Sequence, residues 1–325
     1  MDRREFLKGA FGAGAVFATS RLPAAETKED LSLFARRGAW EQLSIAFGAV
    51  EIGLERPFSV LHISDTHLTA AGEEENLKKQ TLCCKRTRGF GGRQEEALRD
   101  SIAWAKRHCD GLVHTGDLID WQSEANFALV RKYFGDGLTG CLGNHEFSTD
   151  MWLSDPKETP TEAYKEKTRG VLSEVFPFDV SLQSTVVHGV NFVTLDDVYG
   201  TVTAGQVARF AREVEEKGLP IVLCMHVPFF TDAICRAQAH YWDWRNPKFR
   251  RADVPADGWF LADFRRQRED PVTRDFIAAL KAEPLLKAIL AGHLHFTAED
   301  RFSPTAMQYV VGGNFMFHGR EILFL

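Results

Sequence analysis

The sequence predicts an α/β fold, because short apolar runs alternate with segments of helical spacing along most of the chain. Each apolar run is rich in β-branched residues and is closed by a polar or glycine cluster, which indicates a buried strand bounded by turns. The predicted strands are residues 58–63, 111–115, 138–142, 190–195, 221–225, 288–290 and 307–311. A chain of 325 residues with 44% apolar content can bury a sizeable core, so we expect one domain over residues 26–325.

Helical spacing appears in three segments between these strands. The predicted helices are residues 93–108, 207–217 and 273–281. The second has clear boundary signals, because Thr203 followed three residues later by Gln206 forms a capping box and Gly218 is a typical stop. The alternation of strands and helices places the connecting loops at strand ends, where chemistry is usually carried.

Two segments interrupt this alternation. Residues 69–92 are charged and contain glycine, and residues 240–270 mix aromatic side chains with arginine and lysine. Loops of this length inside a compact domain are usually functional. We therefore expect both to be loop insertions over or beside a site, although a solvated surface excursion is the alternative for each.

The N-terminus has the pattern of a targeting segment. Arg3 and Arg4 precede Phe6-Leu7-Lys8 and an uncharged stretch of small and apolar residues, 9–18. This resembles a twin-arginine export signal, with Asp2 where the general pattern has Ser or Thr. The stretch is shorter than the roughly 20 residues of a membrane span. We expect residues 1–25 to be a signal peptide read by the twin-arginine export machinery, and the protein to be exported, periplasmic and without a stable membrane anchor.

Charge and cysteine content exclude some classes of function. The formal net charge of -6 gives no chain-wide attraction to a polyanion, so we expect no nucleic-acid partner. The six cysteines have neither the spacing of a disulfide framework nor that of a paired zinc motif. Only the adjacent Cys83 and Cys84 are candidates for redox chemistry, whereas Cys141 and Cys224 lie in predicted strands and are expected to be core residues.

Metal-binding side chains follow five of the predicted strands. The motifs are, in chain order, Asp65-Thr66-His67, Gly116-Asp117, Gly143-Asn144-His145-Glu146, His226, and Gly292-His293-Leu294-His295. Glycine turns allow the backbone to approach a site closely. Oxygen and imidazole donors without thiolates suit Mn, Fe or Zn at a reactive centre better than a structural zinc site.

Over residues 58–295 this order of motifs resembles the calcineurin-like metallophosphoesterase superfamily, whose pattern is DxH, GD, GNH with D or E, a lone His, and GHxH. The resemblance implies two mixed β-sheets packed face to face with helices on both outer faces. It also implies a dinuclear centre of two divalent or mixed-valence metal ions. Asp65, His67 and His295 would hold one metal, Asn144, His226 and His293 the other, and Asp117 would bridge the two.

The implied chemistry is hydrolysis of a small phosphomonoester or phosphodiester. Two cations about 3.5 to 4 Å apart neutralise the charged ester and lower the pKa of a bridging water, which attacks as hydroxide. His145 would lie beside the metals without binding them. We expect it to act as general acid or to stabilise the leaving group, oriented by Glu146. The expected catalytic residues are thus His145, Asp117 and Glu146.

Two other functions remain open, a non-catalytic metal-binding scaffold of the same fold and a nuclease. A scaffold is expected to have lost ligands, whereas here all seven positions and His145 are filled. The acidic total charge disfavours a nuclease. Two positions narrow the class further. A protein serine/threonine phosphatase would continue this motif as Asp-Arg-Gly, whereas here Asp120 is followed by Trp121. A purple acid phosphatase would have Tyr at position 120 and would lack His67.

Overall fold

The computed structural model describes residues 42–134, 139–149, 161–245 and 261–325. The predicted signal peptide, residues 1–25, lies outside the described residues. Within them the strands are β1 Ser44–Val50, β2 Phe58–Ile63, β3 Gly111–Thr115, β4 Thr139–Cys141, β5 Leu182–Val187, β6 Val190–Leu195, β7 Ile221–Cys224, β8 Leu286–Ala291, β9 Ala298–Arg301, β10 Met307–Val310 and β11 His318–Phe324. The α-helices are α1 Leu77–Gly89, α2 Gln94–His108, α3 Glu124–Phe134, α4 Glu162–Ser173, α5 Ala204–Lys217, α6 Asp232–Arg245, α7 Ala262–Glu269 and α8 Pro271–Ala282.

The strands form two mixed sheets. Sheet I has the order β1-β11-β2-β3-β4, in which only the β11–β2 pair is antiparallel. Sheet II has the order β5-β6-β7-β8-β10-β9, with a parallel centre and one antiparallel strand at each edge. Parallel neighbours place their carboxyl ends at the same edge of a sheet, which is where the predicted motifs begin.

The two sheets pack face to face. Val60 and Val113 of sheet I share one buried apolar cluster with Phe192, Val222 and Leu290 of sheet II. Because side chains alternate along a strand, the neighbouring residues point to the opposite faces of each sheet. Helices cover those outer faces, as the contacts of Leu61 in sheet I and Leu223 in sheet II show.

Leu61 of sheet I packs with Leu98 of α2 and Val130 of α3. Leu223 of sheet II packs in a cluster that includes Phe210 of α5 and Phe276 of α8, among other residues. The predicted architecture, two mixed sheets with helices on both outer faces, is confirmed.

The strongest sequence signals gave the right elements. Strands β2, β3 and β6 have the predicted bounds, and β4, β7, β8 and β10 differ from prediction by a few residues at their ends. The three predicted helices correspond to α2, α5 and α8. At α5 the hydroxyl of Thr203 accepts a hydrogen bond from the backbone N–H of Gln206, and Gly218 ends the helix at φ +58°.

The prediction that residues 69–92 form a loop was wrong, because this segment contains α1. The side chain of Asn76 caps the helix by accepting a hydrogen bond from the backbone N–H of Lys79. Leu82 is the one buried residue of α1, so the helix has almost no apolar periodicity to detect in the sequence. The second predicted insertion, residues 240–270, contains the end of α6 and all of α7, while residues 246–260 lie outside the described part. No described helix is long and apolar enough to cross a membrane.

Candidate metal centre

The five motifs follow strands β2, β3, β4, β7 and β8 and meet at the carboxyl ends of these strands. In sheet I, β2, β3 and β4 run parallel, and in sheet II β7 and β8 run parallel. Residues that are up to 228 positions apart in sequence are therefore in direct contact.

Asp65, His67 and His295 come together as predicted, and we call them, with Asp117, the first ligand set. The Nε2 atoms of His67 and His295 are 3.1 Å apart, and His295 Nε2 is 3.3 Å from Asp65 Oδ1. One ligand atom from each of the four residues lies within 4.8 Å of the others. These separations are those of atoms that can share one cation.

Asn144, His226 and His293 also converge, and we call them, with Asp117, the second ligand set. His226 Nε2 lies 3.1 Å from Asn144 Oδ1 and 3.2 Å from His293 Nδ1. The same nitrogen is 3.3 Å from Asp117 Oδ2. That carboxylate oxygen is also 3.7 Å from His67 Nε2, so Asp117 lies between the two sets.

The ligands have an unusual backbone conformation. The non-glycine residues with positive φ in the described part of the chain are Asp65, His67, Asp117, His188, His293, His295 and Phe317. Five of these seven belong to the predicted ligands. A non-glycine residue in the left-handed region costs about 1–2 kcal/mol, so such a concentration is typical of a functional site held by its surroundings.

Glycine is required where the motif loops approach each other. Gly116 has φ +87°, and a Cβ atom there would lie 2.6 Å from the Nδ1 atom of His226. A Cβ atom at Gly143 would overlap the carboxylate of Asp117. The predicted role of the glycine turns, to let backbone pass close to the site, is confirmed.

The electrostatics of the cluster fit bound cations. Asp65 and Asp117 are buried, and Asp65 Oδ1 has no hydrogen-bond partner among the described residues. A buried carboxylate is costly unless a positive charge compensates it. Burial lowers the pKa of His226, but the carboxylate of Asp117 outweighs this effect and raises it to about 10. In the absence of cations the site would thus recruit protons, and the hard oxygen and imidazole donors suit divalent ions.

His145 lies beside both ligand sets. Its Nε2 atom is 3.9 Å from Asp117 Oδ2, and its Nδ1 atom is 2.9 Å from Asp120 Oδ1. Burial lowers the pKa of His145, but Asp117 and Asp120 together raise it to about 9. The ring is therefore protonated near neutral pH when no cation neutralises Asp117.

The expectation that Glu146 orients His145 was wrong. The carboxylate of Glu146 accepts hydrogen bonds from the backbone N–H groups of Gly143 and Asp117, at 2.7 and 2.9 Å, and of Ile119, at 3.0 Å. Glu146 thus fixes the backbone of two motif loops, and burial raises its pKa to about 7. The residue that contacts the ring of His145 is Asp120.

Asp120 is a site residue whose contacts with the centre were not predicted from the sequence. It is fully buried and also contacts Nδ1 of the metal-ligand candidate His67, at 3.0 Å. Arg86 of α1 binds its carboxylate with two N–H groups. Burial raises the pKa of Asp120, but the hydrogen bonds from Arg86 and the two histidines lower it well below its usual range.

Helix α1 contributes a second contact through the residue that follows it. The ring of Phe90 stacks on His67, with 4.3 Å between ring centroids and 10° between ring planes. The guanidinium of Arg86 lies 4.7 Å from the centre of the Phe90 ring. The first insertion therefore covers the His67 side of the centre, and Arg86 binds Asp120.

Asp197 was missed as well, although it follows β6 at a strand end like the motif residues. Its Oδ1 atom accepts hydrogen bonds from the backbone N–H groups of His226, at 3.0 Å, and Val227, at 3.1 Å. A rule that inspected every carboxylate after a buried strand would have found it. His62 and His114 are buried as well, and their Nε2 atoms lie 2.8 Å from the hydroxyls of Thr115 and Thr66, respectively.

Comparison with known protein families gives a match over most of the described chain. The family model of the calcineurin-like phosphoesterases matches residues 58–296. No curated protein matches the chain in sequence.

Several solved structures are similar to the chain. A dimetal phosphatase from Danio rerio has 14% sequence identity and a TM-score of 0.44, with 80% of this chain and 88% of that chain covered. TT1561 of Thermus thermophilus has 11% identity and a TM-score of 0.41, with 80% and 91% covered. A 5'-nucleotidase from Candida albicans has 11% identity and a TM-score of 0.37, with 84% of this chain and 47% of that chain covered.

The family model extends over more than half of the chain and includes all five motifs. This protein belongs to the calcineurin-like phosphoesterase family.

Proposed function

We propose that the protein is an exported hydrolase of small phosphomonoesters or phosphodiesters that works with two divalent cations. The observation that carries the proposal is the position of Asp117 Oδ2, 3.3 Å from His226 Nε2 and 3.7 Å from His67 Nε2. One carboxylate oxygen thereby joins two complete ligand sets. Such a shared ligand is what a two-cation centre requires.

The two ligand sets would hold one cation each, with Mn, Fe or Zn suited to the donors. Bound cations supply positive charge for the phosphate oxygens and lower the pKa of water, so that a nucleophile is present near neutral pH. Asp117 joins the sets, and Glu146 and Asp197 hold the backbone of three ligand loops. Glu146 and Asp197 keep the donors in place through these backbone hydrogen bonds.

His145 is the candidate for the proton that the leaving group needs. Asp120 holds its Nδ1 atom, so Nε2 is the atom that faces the space beside Asp117. A protonated ring in this position donates from Nε2 to the departing alkoxide or phenoxide oxygen. Departure of a poor leaving group then depends on His145 more than departure of a good one.

Turnover of p-nitrophenyl phosphate and bis-p-nitrophenyl phosphate, measured with added Mn²⁺, tests the proposal. We expect hydrolysis of at least one of the two esters, and the faster one identifies the monoester or diester preference. Asp117→Asn is the control that removes the shared charge. Absence of turnover on both esters with cations bound would favour the scaffold, and cleavage of DNA in preference to both esters would favour the nuclease.

Export is the second part of the proposal and depends on Arg3 and Arg4. In bacterial cells with a twin-arginine transporter, we expect the protein in the periplasmic fraction, shortened at its N-terminus. Replacement of both arginines by lysine should retain the full-length protein in the cytoplasm. Equal export of the variant, or of the wild type in cells without the transporter, would contradict this part.

A further inference from the structure

Asp263 lies outside the five motifs and contacts a ligand of the second set. It is in the first turn of α7, inside the segment 240–270 that the sequence marked as an insertion. Its side chain is only 16% exposed. Asp263 Oδ2 is 2.8 Å from Nε2 of His293.

This contact determines which nitrogen of His293 faces the metal position. A carboxylate accepts a hydrogen bond, so the Nε2 atom that faces Asp263 carries the proton. The lone pair of a neutral ring is then on Nδ1, which is 3.2 Å from His226 Nε2 in the second ligand set. The ring thus points its basic nitrogen toward the other donors of that set.

Asp263 is itself held in place from two sides. Arg266, one helical turn further along α7, forms an ion pair with it and donates from Nε to the carbonyl oxygen of Tyr199, at 2.7 Å. Gly200 packs so closely that a Cβ atom there would lie 2.8 Å from the carbonyl oxygen of Asp263. The loop after β6 and helix α7 therefore fix the carboxylate against His293.

The first ligand set has a corresponding arrangement, in which Asp120 contacts Nδ1 of His67 while Nε2 of that ring faces the other ligands. Each set thus has one histidine held by a carboxylate outside the motif ligands. The carboxylate of the second set comes from an element that the motifs do not include.

We propose that Asp263 is a positioning residue for the second cation: it fixes the Nδ1-binding tautomer and orientation of His293 and raises the basicity of that ligand. The inference rests on the proposed two-cation centre and adds a residue to it. Outer carboxylates of this kind typically contribute 10- to 100-fold in metal affinity. Loss of Asp263 should therefore weaken one cation site and leave the other intact.

Titration of the metal-free protein with Mn²⁺ alone, followed by calorimetry and electron paramagnetic resonance, tests this inference. We expect Asp263→Ala to bind one of its two Mn²⁺ ions about 10- to 100-fold more weakly than wild type. At intermediate Mn²⁺ concentration, its spectrum should change from that of a coupled pair to the six lines of an isolated ion. Asp263→Asn keeps an acceptor oxygen without the charge, and we expect a smaller loss.

Asp275→Ala is the matched control, because Asp275 is on the next helix and its side chain is 75% exposed. It should bind both ions as wild type does. Wild-type affinity at both sites in Asp263→Ala and Asp263→Asn would overturn the inference and leave the proposed function standing. Wild-type protein that binds fewer than two ions would overturn the proposed function, and the inference with it.

Discussion

The residues of the candidate centre owe their positions to buried carboxylates that are not themselves ligands. Glu146 accepts hydrogen bonds from three backbone N–H groups of the second and third motif loops. Asp197 accepts hydrogen bonds from the backbone N–H groups of His226 and Val227. Burial raises the pKa of both carboxyls to about 7, and above that pH these are hydrogen bonds to a charged acceptor, about twice as strong as neutral ones. The bond from the N–H of Asp117 helps to hold that ligand in the left-handed backbone conformation, which would otherwise be unfavourable.

His145 offers the sharpest separation of metal binding from proton transfer. His145→Ala removes the ring without removing a ligand, so we expect the cation content to stay at the wild-type value. Turnover should fall about a hundredfold or more, because general acid catalysis typically contributes that much. Elemental analysis and turnover of the same purified sample measure both quantities, and an active His145→Ala enzyme would remove the assignment.

The buried ring of His62 makes the free energy of unfolding depend on pH. Burial, together with the charges of Arg320 and His114, lowers the pKa of His62 to about 3. Between pH 6.5 and 3 the unfolded chain binds a proton that the folded chain does not, so stability falls as the pH falls. The contribution of one such histidine is about 1.4 kcal/mol per pH unit.

Urea unfolding of wild type and His62→Gln between about pH 6.5 and 4.5, with a chelator present throughout, measures this contribution. As the pH falls, the free energy of unfolding of wild type should decrease more steeply than that of the variant, by about 1.4 kcal/mol per pH unit. Parallel pH profiles for the two proteins would refute the assignment of a buried neutral ring.

Among the elements, the motif strands can be predicted from the apolar pattern of the sequence, whereas α1 cannot. Strands β2 and β6 are buried along their whole length, so each appears as an unbroken run of mostly apolar residues. Helix α1 buries only Leu82 and contacts the centre through Arg86 and the adjoining Phe90, which are polar or isolated in sequence. Periodicity detects packing against a core, and α1 is attached mainly by an ion pair and a ring stack.

Arg86→Gln should destabilise the protein, because the fully buried Asp120 carboxylate would lose its guanidinium partner. Loss of one partner from a buried pair costs about 3–5 kcal/mol, and the 25% exposure of the Arg86 side chain reduces this, so we expect about 1–3 kcal/mol. Urea unfolding of the metal-free protein gives the value. Arg131→Gln is the matched control, because its ion pair with Glu124 is exposed and 3.7 Å long. A loss no larger than that of Arg131→Gln would indicate that Arg86 does not hold α1 on the centre.

For the molecule as a whole, the sequence predicted the metal ligands better than the carboxylates that hold those ligands in place. The seven ligands follow strands that come together in two parallel groups, so local motifs were enough to find them. Asp120, Asp197 and Asp263 act on partners 25 to 53 residues away, and only the position of Asp197 after a buried strand gives a local signal.

Strands β1 and β11 were missed for a related reason. Strand β1 is an edge strand with a largely exposed or half-buried pattern, and β11 starts with His318, Gly319, Arg320 and Glu321 before its apolar residues. Both lack the continuous apolar run that marks β2 and β6 in the sequence. Their pairing joins residues near the two ends of the described chain, which only the folded topology specifies.

The number of divalent cations bound per chain tests the central claim most directly. After dialysis of the metal-free protein against Mn²⁺, Fe²⁺ or Zn²⁺ in turn, elemental analysis should find two ions per wild-type chain with at least one of these metals. Asp117→Asn should bind fewer than two and lose turnover in parallel. A wild-type chain that binds none of the three metals, or an Asp117→Asn chain that binds two as tightly as wild type, would contradict the account.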